Sequence, residues 1–141
     1  MKQSARSREA HLPTSMQIIK TWCNAWSTSY RYHEPVRFPC LLGCPDMRDE
    51  LSHYVSCPHV WNVARTAFPY LCFQTLHDRL CVDKPCTESL KVSAATFTAY
   101  HSIKPSLGNA PLSFDTARCQ FQCSFYTAVR AAGLPPDTPA D

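Results

Sequence analysis

The sequence predicts a mostly α-helical small domain carrying one irregular zinc knuckle of the CCHC type in its first half. Three observations predict it. Apolar residues recur every three to four positions in several segments, most clearly from Phe114 to Ala132. Twelve prolines against three glycines favour short helices ended by proline, and disfavour tightly turned all-β designs, which lean on glycine. Residues 40 to 57, "CLLGCPDMRDELSHYVSC", place two thiols four apart and then a histidine and a thiol four apart. At 141 residues, with 45% hydrophobic and 18% charged residues, the chain has enough apolar material for one modest core.

The elements follow in order. Residues 1–12 are polar and aperiodic and are expected to be disordered, with a helical domain spanning 13–132. Ile18, Ile19, Trp22 and Trp26 fall at helical spacing, with Thr14 or Ser15 as the cap and the two tryptophans on one core-facing stripe. "HEPVRFPCLLGCPDM" holds three prolines and a glycine and reads as a loop or short hairpin. "DELSHYVSC" turns helical, with Asp46 or Asp49 available to cap it. Pro58 interrupts, and "PHVWNVARTAF" restarts with proline at its first position and stops at Pro69. Leu71, Leu76 and Leu80 suggest a short helix. Thr87 is the expected cap of the next one, which carries Leu90, Ala94, Phe97 and Ile103 and ends at Lys104 and Pro105. The last helix places Phe114, Ala117, Phe121, Phe125, Val129 and Ala132 on one stripe. Gly133 then sits where a left-handed terminating residue belongs, and 133–141 reads as a disordered tail.

Several function classes are excluded. Gly43, Gly108 and Gly133 are too few and too dispersed for a phosphate-cradling loop. There is no C-x-x-C, no G-x-S-x-G and no H-E-x-x-H, so a non-enzyme is expected. No apolar run approaches the roughly 20 residues of a membrane span. Nine cysteines, an odd count without an apolar leader after Met1, argue for reduced thiols in an intracellular compartment, nuclear or cytoplasmic. Residues 1–38 carry six cations against two acids, so the basic surplus of the chain lies at its start. Lys20, Arg31, Arg37 and Arg48 form the candidate contact set for a phosphate backbone.

The spacing C-x3-C-x8-H-x3-C carries the chemistry. Zinc takes four thiolate or imidazole ligands in a tetrahedron. Cys40 and Cys44 flank "LLG", where Gly43 lets the backbone fold tightly, and His53 and Cys57 at i and i+4 share one face of a helix. His59 is the rival for the fourth position. A filled four-ligand site leaves no open position for a catalytic water, so the metal is expected to be structural. Cys119 and Cys123, beside Phe121 and Phe125, read as buried free thiols, or as partners of Cys81 and Cys86 in a second metal site. Cys23 and Cys72 read as core residues.

"PCLLGCPDMRDELSHYVSCPHVW" resembles the zinc-finger-like segment near the C-terminus of non-LTR retrotransposon reverse transcriptases. The flanks "IIKTWCNAWSTSYRYHEP" and "SAATFTAYHSIK" extend the resemblance over roughly 15 to 105, with its specific part at 38–61. The resemblance implies zinc on Cys40, Cys44, His53 and Cys57, and Trp61 packed beside the knuckle. It also implies a role in holding RNA or DNA. Nothing here resembles the polymerase's catalytic turn or an endonuclease, so the chain looks like the tail of such an element, without synthesis of its own. The alternative is a structural or protein-interaction domain, its zinc holding only the fold and its aromatic last helix docking onto an absent polymerase body, or a decayed retroelement fragment.

Overall fold

A computed structural model describes residues 14–106 and 108–137. The expected disorder of residues 1–12, and the last four residues of the tail, lie outside the described residues. The described chain is mostly helical: α1 (14–22), α2 (Leu51–Tyr54), α3 (Pro58–Ala67), α4 (Leu76–Arg79), α5 (Thr87–Ile103) and α6 (Phe114–Ala131). The expected knuckle sits between α1 and α3, and α5 and α6 form the principal helix pair.

Local chemistry accounts for most boundaries. Thr14 and Ser15, the expected caps of α1, already lie within it. Pro58 begins α3, where a missing N–H costs nothing. The 71–80 segment is helical only from Leu76, because Thr75 and Asp78 close a reciprocal capping box there. Thr87 is the first residue of α5 rather than its cap. Cys86 takes that role, its Sγ accepting from Ser89 N–H while Ser89 Oγ accepts from Cys86 N–H. Pro105 forces Lys104 into extended backbone and ends the helix.

α6 stops as expected, at Gly133 with φ of +77°. Gly133 N–H reaches Arg130 O and Leu134 N–H reaches Val129 O, the paired bonds of a Schellman termination. Leu134 is buried and Asp137 N–H bonds to Ala67 O, so the chain after Gly133 first packs back onto α3.

The core gathers around Trp26. Its ring stacks on Tyr100 at 5.0 Å and Tyr54 at 5.8 Å, and meets Phe97 edge-on. Trp22 does not share this burial: α1 ends at residue 22, the chain changes direction, and Trp22 is left half exposed. On α6 the inward stripe is Ala117, Phe121, Phe125 and Val129, while Phe114 is half exposed. Cys119 and Cys123 occupy the opposite face and are exposed, not buried. Cys23 and Cys72 are likewise exposed rather than core.

One buried acid ties the layers together. Asp49, fully buried, accepts at Oδ1 from the hydroxyls of Tyr54 and Tyr100, each at 2.8 Å, and at Oδ2 from Ser29 N–H at 2.8 Å. Lys104 Nζ stands 3.9 Å from Oδ2 and 3.0 Å from Glu34. Burial, and then the Asp49 charge, push both tyrosine hydroxyls well above their ordinary range, which keeps them protonated as donors. Asp49 therefore joins the knuckle to α5 and to the segment after Trp26, rather than capping α2. The N-cap there is Glu50, without a side-chain bond.

Replacing Asp49 by Ala is expected to cost about 3–5 kcal/mol, because two hydroxyls, an N–H and a lysine lose their common acceptor inside the core. Asp49→Asn, which keeps one oxygen for the tyrosines, should cost less. Equilibrium urea unfolding of metal-loaded protein measures both.

Candidate metal centre

The knuckle is built by a short pair of antiparallel segments. Pro39 and Arg48 form an isolated β-bridge, with Cys40 N–H on Met47 O at 2.8 Å and Asp49 N–H on Phe38 O at 3.0 Å. This is the short hairpin expected of the proline-rich loop. Between the arms the chain must turn tightly, and Gly43 N–H closes onto Cys40 O at 3.0 Å. Gly43 has φ of +89°, and a Cβ there would meet Arg118 Nη2 and Phe114 Cγ at 2.9 Å, so glycine is required both for the turn and for the approach of α6.

The return arm leads into α2, a single turn. It presents His53 inward, and Cys57 follows as the N-cap of α3. Cys57 is thus held at a helix start beyond the turn, not on the same helix as His53. Trp61 of α3 secures the junction, its Nε1 donating to Tyr54 O at 3.0 Å, and Arg79 Nη1 donates to Val55 O at 2.9 Å. From the other side Arg118 of α6 donates through Nε to Leu42 O at 2.7 Å.

Cys40, Cys44, His53 and Cys57 are all buried, with one ligand atom of each lying within 4.8 Å of the others. Cys44 Sγ and Cys57 Sγ are 3.6 Å apart. His53 Nε2 has no hydrogen-bond partner, and among the described residues it is the one buried side-chain nitrogen or oxygen so left. A buried imidazole nitrogen without a partner is costly, and three thiols around it offer no strong donor or acceptor. A metal ion at the centre would satisfy all four. Such a group can bind a metal ion, and Cys57 rather than His59 completes it. His59 stays half-buried beside Arg118 in a neighbouring pocket of about 200 Å³.

Three thiols this close cannot all ionise unaided. Hydrogen bonding from Cys57 draws Cys40 down to about 4, the same contact pushes Cys57 up, and burial pushes Cys44 up. Arg118 pulls Cys44 slightly in the opposite direction. In this arrangement the thiols of Cys44 and Cys57 are held in their protonated form, and a cation that bound there would displace those protons.

The structure brings three of the four predicted basic residues to one place. Arg37 and Arg48 both lie over the Tyr30 ring, at 5.6 and 5.3 Å, and Arg31 lies over Tyr32 at 4.6 Å. Lys20 is apart from them, over Phe97. Cys81 does not join Cys119 and Cys123: it is buried against Ser93 and Ser89 O, and Cys86 is a helix cap. Among the described residues, one group of three or more metal-ligating side chains is present. Arg118 is a supporting residue that sequence reasoning missed, and Asp49, read there as a possible helix cap, has a different role. Both roles are defined by distant partners, which no local signal shows.

Comparison with protein-family models, with curated proteins and with solved structures finds no match to this chain. What fold and site define is a helical domain organised around a buried cluster of three cysteines and one histidine. No helix among the described residues is long and apolar enough to cross a membrane.

Two outcomes test the centre. Purified protein should carry about one divalent ion per chain by elemental analysis, lost in both Cys40→Ser and His53→Ala together with helical circular dichroism. Metal uptake at neutral pH should release protons, with Cys44 and Cys57 among their sources, since both are held above their ordinary range. Affinity then rises with pH and falls on acidification. Calorimetry in buffers of differing ionisation enthalpy reads the proton count, and a value near zero would remove one or both thiols from the ligand set.

Proposed function

We propose that this chain is a zinc-stabilised nucleic-acid-binding module, of the kind found at the tail of non-LTR retrotransposon reverse transcriptases, without polymerase activity of its own. The observation that carries it is the buried group of Cys40, Cys44, His53 and Cys57, with the imidazole nitrogen left unpaired at its centre. Zinc fits the group. A tetrahedron with zinc–sulfur bonds of about 2.3 Å has sulfur–sulfur edges of roughly 3.8 Å, and Cys44 and Cys57 already stand 3.6 Å apart. Three thiolates and one neutral imidazole suit this borderline-soft ion better than they suit magnesium or calcium.

Four protein ligands and full burial leave no place for a substrate, which favours a structural role. The contribution is large: structural zinc supplies about 10–16 kcal/mol of apparent binding free energy in finger peptides, against roughly 5–15 kcal/mol for the stability of a whole domain. Neither the one-turn α2 nor the turn around Gly43 is long enough to persist alone, so the ion would set the shape of the knuckle.

Nucleic acid is supported by what the knuckle displays outward. Arg31, Arg37 and Arg48 are exposed, and among the described residues none of them has a carboxylate within 4.0 Å. Their cationic heads rest on tyrosine rings, which hold them in place without neutralising them. The alternative of an aromatic α6 docking onto another protein has less support, since Phe121 and Phe125 are buried and only Phe114 is half exposed.

Binding should therefore be salt-dependent. Three phosphate contacts give a slope of about −2 to −3 in log affinity against log salt. Arg31→Ala, Arg37→Ala and Arg48→Ala should each reduce its magnitude by roughly one. Fluorescence anisotropy with labelled oligonucleotides measures this. Absence of binding at low salt by zinc-loaded protein would overturn the nucleic-acid reading and leave the metal site standing.

A further inference from the structure

A groove of about 740 Å³ runs beside the knuckle, between the end of α1, the loop that carries Tyr30 to Arg37, α2 and the turn after α4. Trp22 forms part of its wall. This tryptophan is 52% exposed, yet it is not loose: its Nε1 donates to Leu80 O at 2.6 Å. The ring is therefore held at a fixed tilt with much of its surface in water. Leu80 and Val82 continue the apolar wall, and Tyr30, Arg31, His33 and Arg37 supply the polar side.

The charges are arranged for an anion with a planar component. Arg31 and Arg37 both line the groove, against the single carboxylate of Glu50. Arg37 also touches His33 Nδ1 at 3.3 Å and shares the Tyr30 ring with Arg48. A pinned indole, an apolar strip and guanidinium groups with no carboxylate partner among the described residues, all within one concavity, match the two recurring parts of single-strand binding sites: a platform on which a base can stack and a cationic track for its phosphates.

We propose that this groove binds single-stranded nucleic acid, with a base stacked on Trp22 and the flanking phosphates held by Arg31 and Arg37. The inference rests on the nucleic-acid reading above and narrows it. A duplex keeps its base faces stacked inside and exposes only base edges, sugars and phosphates, so no base can stack on Trp22 without the duplex being opened. An unpaired strand presents both base face and phosphate at once.

The structure supplies its own reporter. Trp26 and Trp61 are 2% and 3% exposed, so quenching of the zinc-loaded chain by acrylamide reports chiefly on Trp22. An oligothymidylate of about twelve nucleotides, within the range of single-strand site sizes, should shield Trp22 from acrylamide, and the same length of duplex should not. Trp22→Ala should weaken oligothymidylate binding roughly 5- to 150-fold, the usual range for loss of one base–aromatic stack. Trp22→Phe, which keeps an aromatic face, should recover most of it. The shielding measurement uses the unaltered protein, so it stands even if Trp22→Ala, which also loses the bond to Leu80, proves poorly folded by circular dichroism.

Binding without shielding of Trp22, or a preference for duplex, would overturn the groove assignment and leave the broader nucleic-acid reading intact. No binding of either form at low salt would overturn both.

Discussion

The carboxylate of Asp49 is the constraint on which the rest of this structure depends. It is fully buried, and its acceptance of hydrogen bonds from Tyr54, Tyr100 and Ser29 fixes three separate stretches of chain to one point. A buried charge is tolerated only when its partners are complete, and here they are: two hydroxyls, one N–H, and Lys104 at the edge with Glu34 beyond it. Tyr54 also receives Leu41 N–H on its hydroxyl, which extends the same network into the loop between the first two cysteines. The knuckle is consequently not an appendage. Its backbone is hydrogen-bonded to the core of the helical domain.

His53 and Tyr54 show how closely the two polar centres are joined. They are consecutive in a helix of four residues, one reaching the thiol cluster and the other reaching Asp49. A helix that short has no stability of its own. It exists because its side chains are claimed from two sides, and because Trp61 and Arg79 satisfy the carbonyls at its end. Loss of the ion would free His53 and, through the next residue, loosen the hydroxyl that Asp49 needs. Metal binding at this cluster would thereby be coupled to core packing through one peptide unit, which is why the ligand variants are expected to lose helix as well as metal.

The outer face follows from the inner one. Once the hairpin of Pro39 and Arg48 is set, Arg48 is turned toward Tyr30, and Arg37 approaches the same ring from the preceding arm. Stacking on tyrosine costs a guanidinium little of its hydration and leaves its charge available. Two of the acidic residues near the knuckle do not cancel these charges. Asp49 is spent inside the core, and Glu34 is paired with Lys104. Asp46, Asp49 and Glu50 all stand beside the ligands in sequence. Burial takes Asp49 out of the charge balance and leaves Asp46 and Glu50 in it.

The features determined by the sequence alone are those whose causes lie within a turn or two of chain. The stripe of α6 from Ala117 to Val129, its termination at Gly133, the proline start of α3 and the spacing of Cys40, Cys44, His53 and Cys57 all depend on neighbours near in sequence. The exposure of Trp22, Cys23, Cys119 and Cys123 was not legible, because an apolar or thiol residue at helical spacing looks the same whichever way the helix is rolled. Rolling α6 to bury Phe121 and Phe125 put both cysteines outside. Asp49 looked like a cap because acids before helices usually are. Only the folding of Tyr100 and Ser29 onto it, from 51 and 20 residues away, made it the centre of a network. Likewise Arg118 reaches Leu42 across 76 residues. Short-range geometry wrote the ligand pattern into the sequence, whereas burial and long-range hydrogen bonds, which no local pattern encodes, were decided by the tertiary structure.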